Sequence, residues 1–312
     1  MAEFGAHPQA RPGAGRKVLV TGAAGVIGRI VCPGLAARGW KVRGLDRVPL
    51  DGVDGLADPP IVADVTDAAA VRKAMTGVDA VVHLAQQAGE APFEEILPSM
   101  DGTFQVFDAA RRESAAGRES AASRESAAGS ESAAGSESAA RREGGVRIVY
   151  ASSNHAVGYT PRSELAPVDL LPRPDTYYGV SKVFGEALGR LLVDRYGLEV
   201  VCLRIGSWKQ YPETVRELST WISPADGVRL VAAALTAPDV TFEVVYGISA
   251  NTRAWWDLAP ARALGYLSVD DAEDYADRVP GAGDEPDKTA PEWARMGGQY
   301  AGPAFDEPGL GR

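Results

Sequence analysis

The sequence predicts an α/β fold: a doubly wound parallel sheet with a small lobe at its C-terminal end. Three observations predict it. Short apolar runs recur along the chain, KVLVT at 17–21, DAVVHL at 79–84 and VRIVYA at 146–151, and near-continuous apolar runs suit strands buried on both faces. Longer segments of helical character separate them. The first run leads straight into a glycine-rich turn, Gly22 to Gly28, that opens a helix. Strands alternating with helices imply crossover connections, so the strands lie parallel.

The elements follow in order. A strand is expected at 17–21, then a helix from Gly28 to about Arg38, stopped by Gly39. Val42–Leu45 reads as the second strand and Ile61–Ala63 as the third. Val71–Thr76 lies in a helix, Asp79–Leu84 is the fourth strand, and Phe104–Arg112 ends another helix. Val146–Ala151, the long helix Tyr178–Tyr196 and the strand Glu199–Ile205 complete the alternation. One segment breaks the rhythm. From Glu113 to Glu143 the chain repeats ESAAGR-like hexapeptides with no large apolar residue. Such a segment cannot bury a face and reads as a surface insertion, disordered or partly helical. Residues 1–16 read as a disordered tail without the apolar stretch of a secretory signal. Residues 17–270 read as one domain with its lobe, and 271–312 as a C-terminal segment.

Composition bounds the function. Of the 312 residues 45% are hydrophobic and 24% charged, as in a globular protein with a core. The formal net charge of −10 argues against nucleic acid, which calls for a basic patch. The two cysteines, Cys32 and Cys202, fall in different elements and read as reduced core thiols of a cytoplasmic protein. Three scattered histidines, His7, His83 and His155, give no metal site. No apolar run reaches the ~18 residues of a membrane span.

Thr21 to Gly28 reads TGxxGxxG between a strand and a helix. Glycines there allow a tight turn and close approach of backbone to a pyrophosphate at the helix N-terminus. This is the signature of a dinucleotide-binding Rossmann fold. Gly22, Gly25, Val26, Ile27 and Gly28 are therefore expected at the cofactor. Asp46 ends the second strand, and a carboxylate there accepts from ribose hydroxyls and repels a 2′-phosphate, favouring NAD over NADP. Arg47 beside it works the other way. Asp64 is expected near the adenine, or else as a turn or helix-capping residue. Val65, Leu84, Ala85 and Ile205 are expected to line the same site.

Tyr178 and Lys182 lie four apart at the start of the long helix and so share a face. The ammonium can lower the phenol pKa, making Tyr178 a general base, and can hold the nicotinamide ribose. Ser153 follows the fifth strand, at the end that faces the ligand crevice in such sheets. In this order the set resembles the extended short-chain dehydrogenase/reductases. The resemblance narrows to the uronate dehydrogenases through SSNH at 152–155, YGVSKVFGE at 178–186, RIGS at 204–207, RELSTW at 216–221, VYGISAN at 245–251 and WWD at 255–257. SSNH and STW are not general features of the wider family.

That resemblance implies NAD-dependent oxidation of glucuronate or galacturonate at C1 to the aldarolactone. It implies that Arg216 clamps the sugar carboxylate and that Asn154, His155 and Ser207 bond the hydroxyls. It also implies a homo-oligomer with a small sugar acid as partner. From the residues alone, the blander alternatives are a surface arginine beside Glu217 for Arg216 and a satisfied loop histidine for His155. Trp255 and Trp256 read as core or interface aromatics, and Glu94 and Glu95 as solvated charges. The chain departs from the family at Ala88, where a substrate-contacting serine is usual, and at Ser99, where an asparagine is usual. Trp208 and Lys209 replace smaller residues. These changes bear on substrate preference. The competing functions are a nucleotide-sugar epimerase or dehydratase and a non-catalytic NAD-sensing module.

Overall fold

Alternation within the first strand sets the two faces of the sheet. In β1 (Lys17–Thr21), Val18 and Val20 point to one side and Leu19 to the other, all three fully buried. The computed structural model describes Gly13 and residues 15–128, 145–162, 165–285, 287–302 and Phe305. The other strands are β2 (Lys41–Asp46), β3 (Ile61–Val62), β4 (Ala80–His83), β5 (Arg147–Ser153), β6 (Val200–Ile205), the short β7 (Ser207–Trp208) and β8 (Trp221–Ile222), and β9 (Phe242–Gly247). Seven of them form one parallel sheet in the order β3-β2-β1-β4-β5-β6-β9, and β7 pairs with β8 separately. The winding reverses between β1 and β4, which opens a crevice at the strands' carboxyl ends.

Helices α1 (Gly28–Ala36), α2 (Ala68–Met75), α3 (Phe93–Ala128) and α4 (Tyr177–Tyr196), the short α5 (Glu217–Thr220) and α6 (Pro224–Thr236) flank the sheets. Val31 and Leu35 of α1 join Leu230 and Leu235 of α6 in the core on one face of the main sheet. Val71 of α2, Phe107 of α3 and Leu192 of α4 fill the other. Cys32 and Cys202 are free and buried. Trp255 and Trp256 are core residues, packed edge to face on each other. No helix among the described residues is long and apolar enough to cross a membrane.

Three boundaries differ from the sequence expectation. Gly13 and Gly15, placed in the tail, donate to the Arg38 and Gly39 carbonyls at 2.7 and 3.0 Å, and Arg16 lies over the Trp40 ring. Residues 1–12 and 14 lie outside the described residues. The C-terminal segment does not begin cleanly at 271, because Ala272 and Val279 are buried with Leu218 and Trp221 in the core of the lobe. The hexapeptide repeat begins inside α3. Glu113 accepts from the Gly77 amide at 2.8 Å, and the buried Ser114 hydroxyl accepts from Val146 N at 2.8 Å. Polar side chains thus tie the first repeat to the loop before β4 and to the start of β5. Residues 129–144 of the repeat lie outside the described residues.

A deletion follows from this. Joining Arg118 directly to Arg142 should preserve solubility and turnover, since the removed repeats carry no apolar side chain larger than alanine. Starting the deletion at Glu113 instead removes two tertiary hydrogen bonds worth about 1 kcal/mol each. That longer deletion should lower Tm by about 4–8 °C. Thermal melts of the two deletions check both outcomes, and loss of folded protein in the shorter one would refute the reading.

Candidate active site

A cleft of about 730 Å³ opens at the carboxyl ends of β1, β2 and β4, a size suited to a dinucleotide-class ligand. Gly22, Gly25, Asp46, Asp64, Val65, Leu84 and Ala85 line it, together with Arg47. The glycines have separate tasks. Gly22 has φ +73°, and a Cβ on it would lie 2.8 Å from Ala85 N. A Cβ on Gly28 would lie 2.2 Å from the Gly22 carbonyl, so Gly28 lets α1 press onto the turn. Gly25 lines the cleft itself. These are the features of a backbone cradle that a side chain would fill, and they fit a dinucleotide pyrophosphate. Val26 is 76% exposed beside the turn, Ile27 half-buried at its end, and Ile205 buried at the end of β6.

The Asp46 carboxylate accepts from Ala24 N at 2.9 Å and from Val48 N at 3.3 Å, which fixes it at the rim of the cleft. Asp64 accepts from both Thr66 N and Thr66 Oγ at 2.9 Å. Those bonds, the backbone one foremost, hold its carboxyl below the usual range. Asp64 is thus a turn residue that also faces the cleft. Glu94 and Glu95 are exposed as expected, but they line the cleft rather than a remote surface.

The candidate catalytic set is assembled by the N-terminus of α4. Thr176 caps the helix by accepting from Gly179 N at 2.9 Å. Glu90, from the loop after β4, accepts from the amides of Tyr177 and Tyr178 at 3.1 and 2.9 Å. A Cβ on Gly179 would lie 2.4 Å from the His155 carbonyl, so the helix start rests on the 3-10 turn Asn154–Val157 after β5. This seats the partly exposed Tyr178 against Ser153.

Burial pushes the Tyr178 phenol up to about 12; the hydrogen bond from Ser153 opposes it, and Tyr300 and Asp175 add to it. Burial draws the Lys182 ammonium down to about 7 against the pull of Glu186. The expectation that Lys182 sets the phenol's acidity is therefore corrected: its Nζ lies 4.7 Å from the Tyr178 ring centroid, but desolvation dominates both groups.

Several groups that support this set were given no role in the sequence reading. Lys182 donates to the Ala151 carbonyl at 2.8 Å and to Gln86 Oε1. Gln86 in turn donates to Tyr150 Oη at 2.9 Å. Gln86 stands just past β4, at the crevice end, and that position was its only signal. Behind the site, Arg204 pairs with Glu186 through Nε and Nη2 at 2.9 and 2.8 Å, and Ser152 donates to the same carboxylate at 2.6 Å. Neutral His83 bridges Thr21 and Thr103 at 2.7 and 3.1 Å, with burial pulling its pKa down to about 3.

The residues expected around the substrate converge. Asn154 Nδ2 donates to the Met296 carbonyl at 3.0 Å, and Arg216 Nη2 donates to the same oxygen. Arg216 also packs on Gly298, where a Cβ would lie 2.6 Å from Nε. Ser207 Oγ meets Thr220 Oγ1 at 3.1 Å, and Thr220 bonds back to the Arg216 carbonyl at 3.4 Å. The His155 ring lies 5.8 Å from Tyr178 and 4.6 Å from Tyr300. Arg216 is thus no surface arginine. Met296 and Tyr300 come from the C-terminal segment, and no sequence pattern announces a backbone carbonyl.

The departures at 208 and 209 point elsewhere: Trp208 is a core residue against Gly227, and Lys209 pairs with Glu213 and Glu217. Ser99 accepts from Gln87 N at 2.7 Å.

This combination of glycine cradle, acidic strand end and Ser-Tyr-Lys set has a match among known proteins. Residues 18–209 match the model of the NAD dependent epimerase/dehydratase family. The chain belongs to this family. Among members of the family, a uronate dehydrogenase from Pseudomonas putida is 35% identical over 286 residues, spanning 91% of this chain and 95% of that protein. An NAD-dependent glucose-6-phosphate dehydrogenase from Haloferax volcanii is 37% identical over 283 residues, spanning 83% and 95%. A crystal structure of Agrobacterium tumefaciens uronate dehydrogenase, a tyrosine-to-alanine variant complexed with NAD, is 35% identical with a TM-score of 0.76, covering 94% of this chain and 100% of that one.

Proposed function

We propose that the protein oxidises the C1 hydroxyl of a uronic acid, glucuronate or galacturonate, to the aldarolactone, using NAD. The observation that carries this reading is the placement of Asn154, His155 and Arg216 beside Ser153, Tyr178 and Lys182, at the crevice end of a dinucleotide-binding sheet. Gly22, Gly25, Asp46 and Lys182 would hold NAD, which supplies the hydride acceptor when bound. Tyr178 takes the proton of the C1 hydroxyl, and Ser153 bonds the same oxygen. Arg216 presents a planar guanidinium, whose geometry suits a carboxylate. The enzyme acts in the cytoplasm as a homo-oligomer.

The Haloferax relative, named for a sugar phosphate, favours a second reading, in which Arg216 meets a phosphate. An NADH-formation screen over glucuronate, galacturonate, glucose, galactose and glucose 6-phosphate tests the two. Uronates should give the highest kcat/KM. Preference for the sugar phosphate would establish the second reading, and preference for a neutral sugar would overturn both.

Asp46 carries the cofactor preference. Asp46→Ala removes the charge that repels a 2′-phosphate and leaves Arg47 at the rim. The ratio of kcat/KM for NAD over NADP should fall roughly 10–100-fold, the equivalent of one charge-assisted hydrogen bond. Equal use of NADP by the parent would refute this role.

A further inference from the structure

We propose that Asp175 is a positioning residue for sugar binding, acting through His155; this rests on the reading of the site given above. Asp175 stands immediately before the Thr176 cap of α4. Its side chain is wholly buried, and it is Thr176, not Asp175, that supplies the capping oxygen. The carboxylate is committed instead to two neighbours. One of its oxygens accepts from His155 Nδ1 at 2.8 Å and the other from Thr176 Oγ1 at 3.1 Å.

Room for this carboxylate is made by two glycines from distant parts of the chain. A Cβ on Gly158 would lie 1.9 Å from Asp175 Oδ2, and one on Gly297 would lie 1.7 Å from the same atom. Gly297 N donates to the Gly158 carbonyl at 2.8 Å, which closes the C-terminal segment over the pair. Burying a carboxylate is costly unless it is paired. Three chain segments therefore converge on a buried carboxylate that holds the Thr176 hydroxyl with one oxygen and His155 with the other.

The consequence falls on His155. A carboxylate can only accept, so the proton sits on Nδ1. The bond fixes both the tautomer and the ring plane. Nε2, on the opposite side of the imidazole from the anchored nitrogen, is then held in one orientation within the group formed by Tyr178 and Tyr300, whose ring centroids lie 5.8 and 4.6 Å from that of His155. Such a nitrogen accepts from a sugar hydroxyl without first having to order its ring.

Steady-state kinetics of Asp175→Ala and Asp175→Asn, each alone and combined with His155→Ala, test the proposal on whichever sugar the parent oxidises. Asp175→Ala should raise KM for the sugar roughly 10–100-fold, and Asp175→Asn about 3–10-fold, since an amide oxygen still accepts from Nδ1. In both, kcat and the KM for NAD should stay within about 3-fold of the parent. In the His155→Ala background either Asp175 change should add less than about 2-fold, because the group it positions is gone. Equal penalties with and without His155, or a parallel loss of NAD binding, would mean that Asp175 is structural only. If Asp175→Ala does not fold, the asparagine cycle decides alone. Failure of the uronate reading itself shows separately, as a parent that oxidises a different sugar.

Discussion

Tyr178→Phe should lower kcat for sugar oxidation by roughly 10²–10⁴-fold, the usual worth of a positioned general base, with NAD binding close to the parent's. The phenol is the group at the crevice that meets Ser153, and burial holds it up at about 12. On its own it would be a poor base at neutral pH. Lys182 is its neighbour on α4, 4.7 Å from ammonium to ring, and burial draws that ammonium down to about 7. The base is competent only once the phenol has lost its proton, and burial makes that loss a late one. The parent's kcat/KM for oxidation should therefore keep rising with pH above neutrality, towards the phenol's value of about 12, rather than levelling off near 7. In Tyr178→Phe the residual rate should lose this dependence. A phenylalanine variant with parental kcat, or one that keeps the rise, would remove Tyr178 from the role of base.

Arg216→Met should reduce kcat/KM for a uronate by roughly one to three orders of magnitude. A charge-assisted hydrogen bond contributes about 1.5–3 kcal/mol, and more if its partner is left buried without a mate. The net charge of −10 means that the protein's field does not draw an anion in, so a local guanidinium has to. Arg216 is held for this by the Met296 carbonyl and by the backbone of Gly298. Removing it also loosens that contact, though Asn154 still donates to the same oxygen. Glucose or galactose separates the two effects. A neutral sugar should be a poor substrate for the parent and should suffer little from the change, whereas general disruption of the C-terminal segment would depress both substrates alike. NAD affinity should hardly move, since the glycine turn and Asp46 lie on β1 and β2. Full uronate activity in the variant would sink the carboxylate clamp.

Much of the site was legible because its parts are local. TGxxGxxG works through a single turn between β1 and α1, and Tyr178 and Lys182 share one helix face, so spacing alone relates them. Most of the strands that were found carry a near-continuous apolar run, though Arg43 and Gly44 interrupt that of β2. β9 was not read as a strand, because its first three residues are only half-buried and include Glu243, as befits the edge of the sheet. β7 and β8 have two residues each, too few for any period to show, and unlike the equally short β3 they stand outside the main sheet's alternation. The anchoring at the start of the insertion was not legible for a related reason: composition reports what a segment lacks, while Glu113 and Ser114 are held by hydrogen bonds to Gly77 and Val146, 36 and 32 positions away.

By itself the sequence determined the parallel α/β architecture, and it singled out the glycine turn, the acidic end of β2 and the tyrosine–lysine pair proposed as the base and its partner, because each depends on residues within one element or one turn. Only the tertiary structure decided how those groups are tuned and enclosed. It brought Gln86 to Lys182, Glu90 to the start of α4, Asp175 to His155, and the Met296 carbonyl to Asn154 and Arg216. It also set desolvation above charge in fixing the acidity of Tyr178 and Lys182. The physical reason is the same throughout: these contacts join residues separated by up to 142 positions, and burial is a property of all the packed elements together, which no local pattern of residue types records.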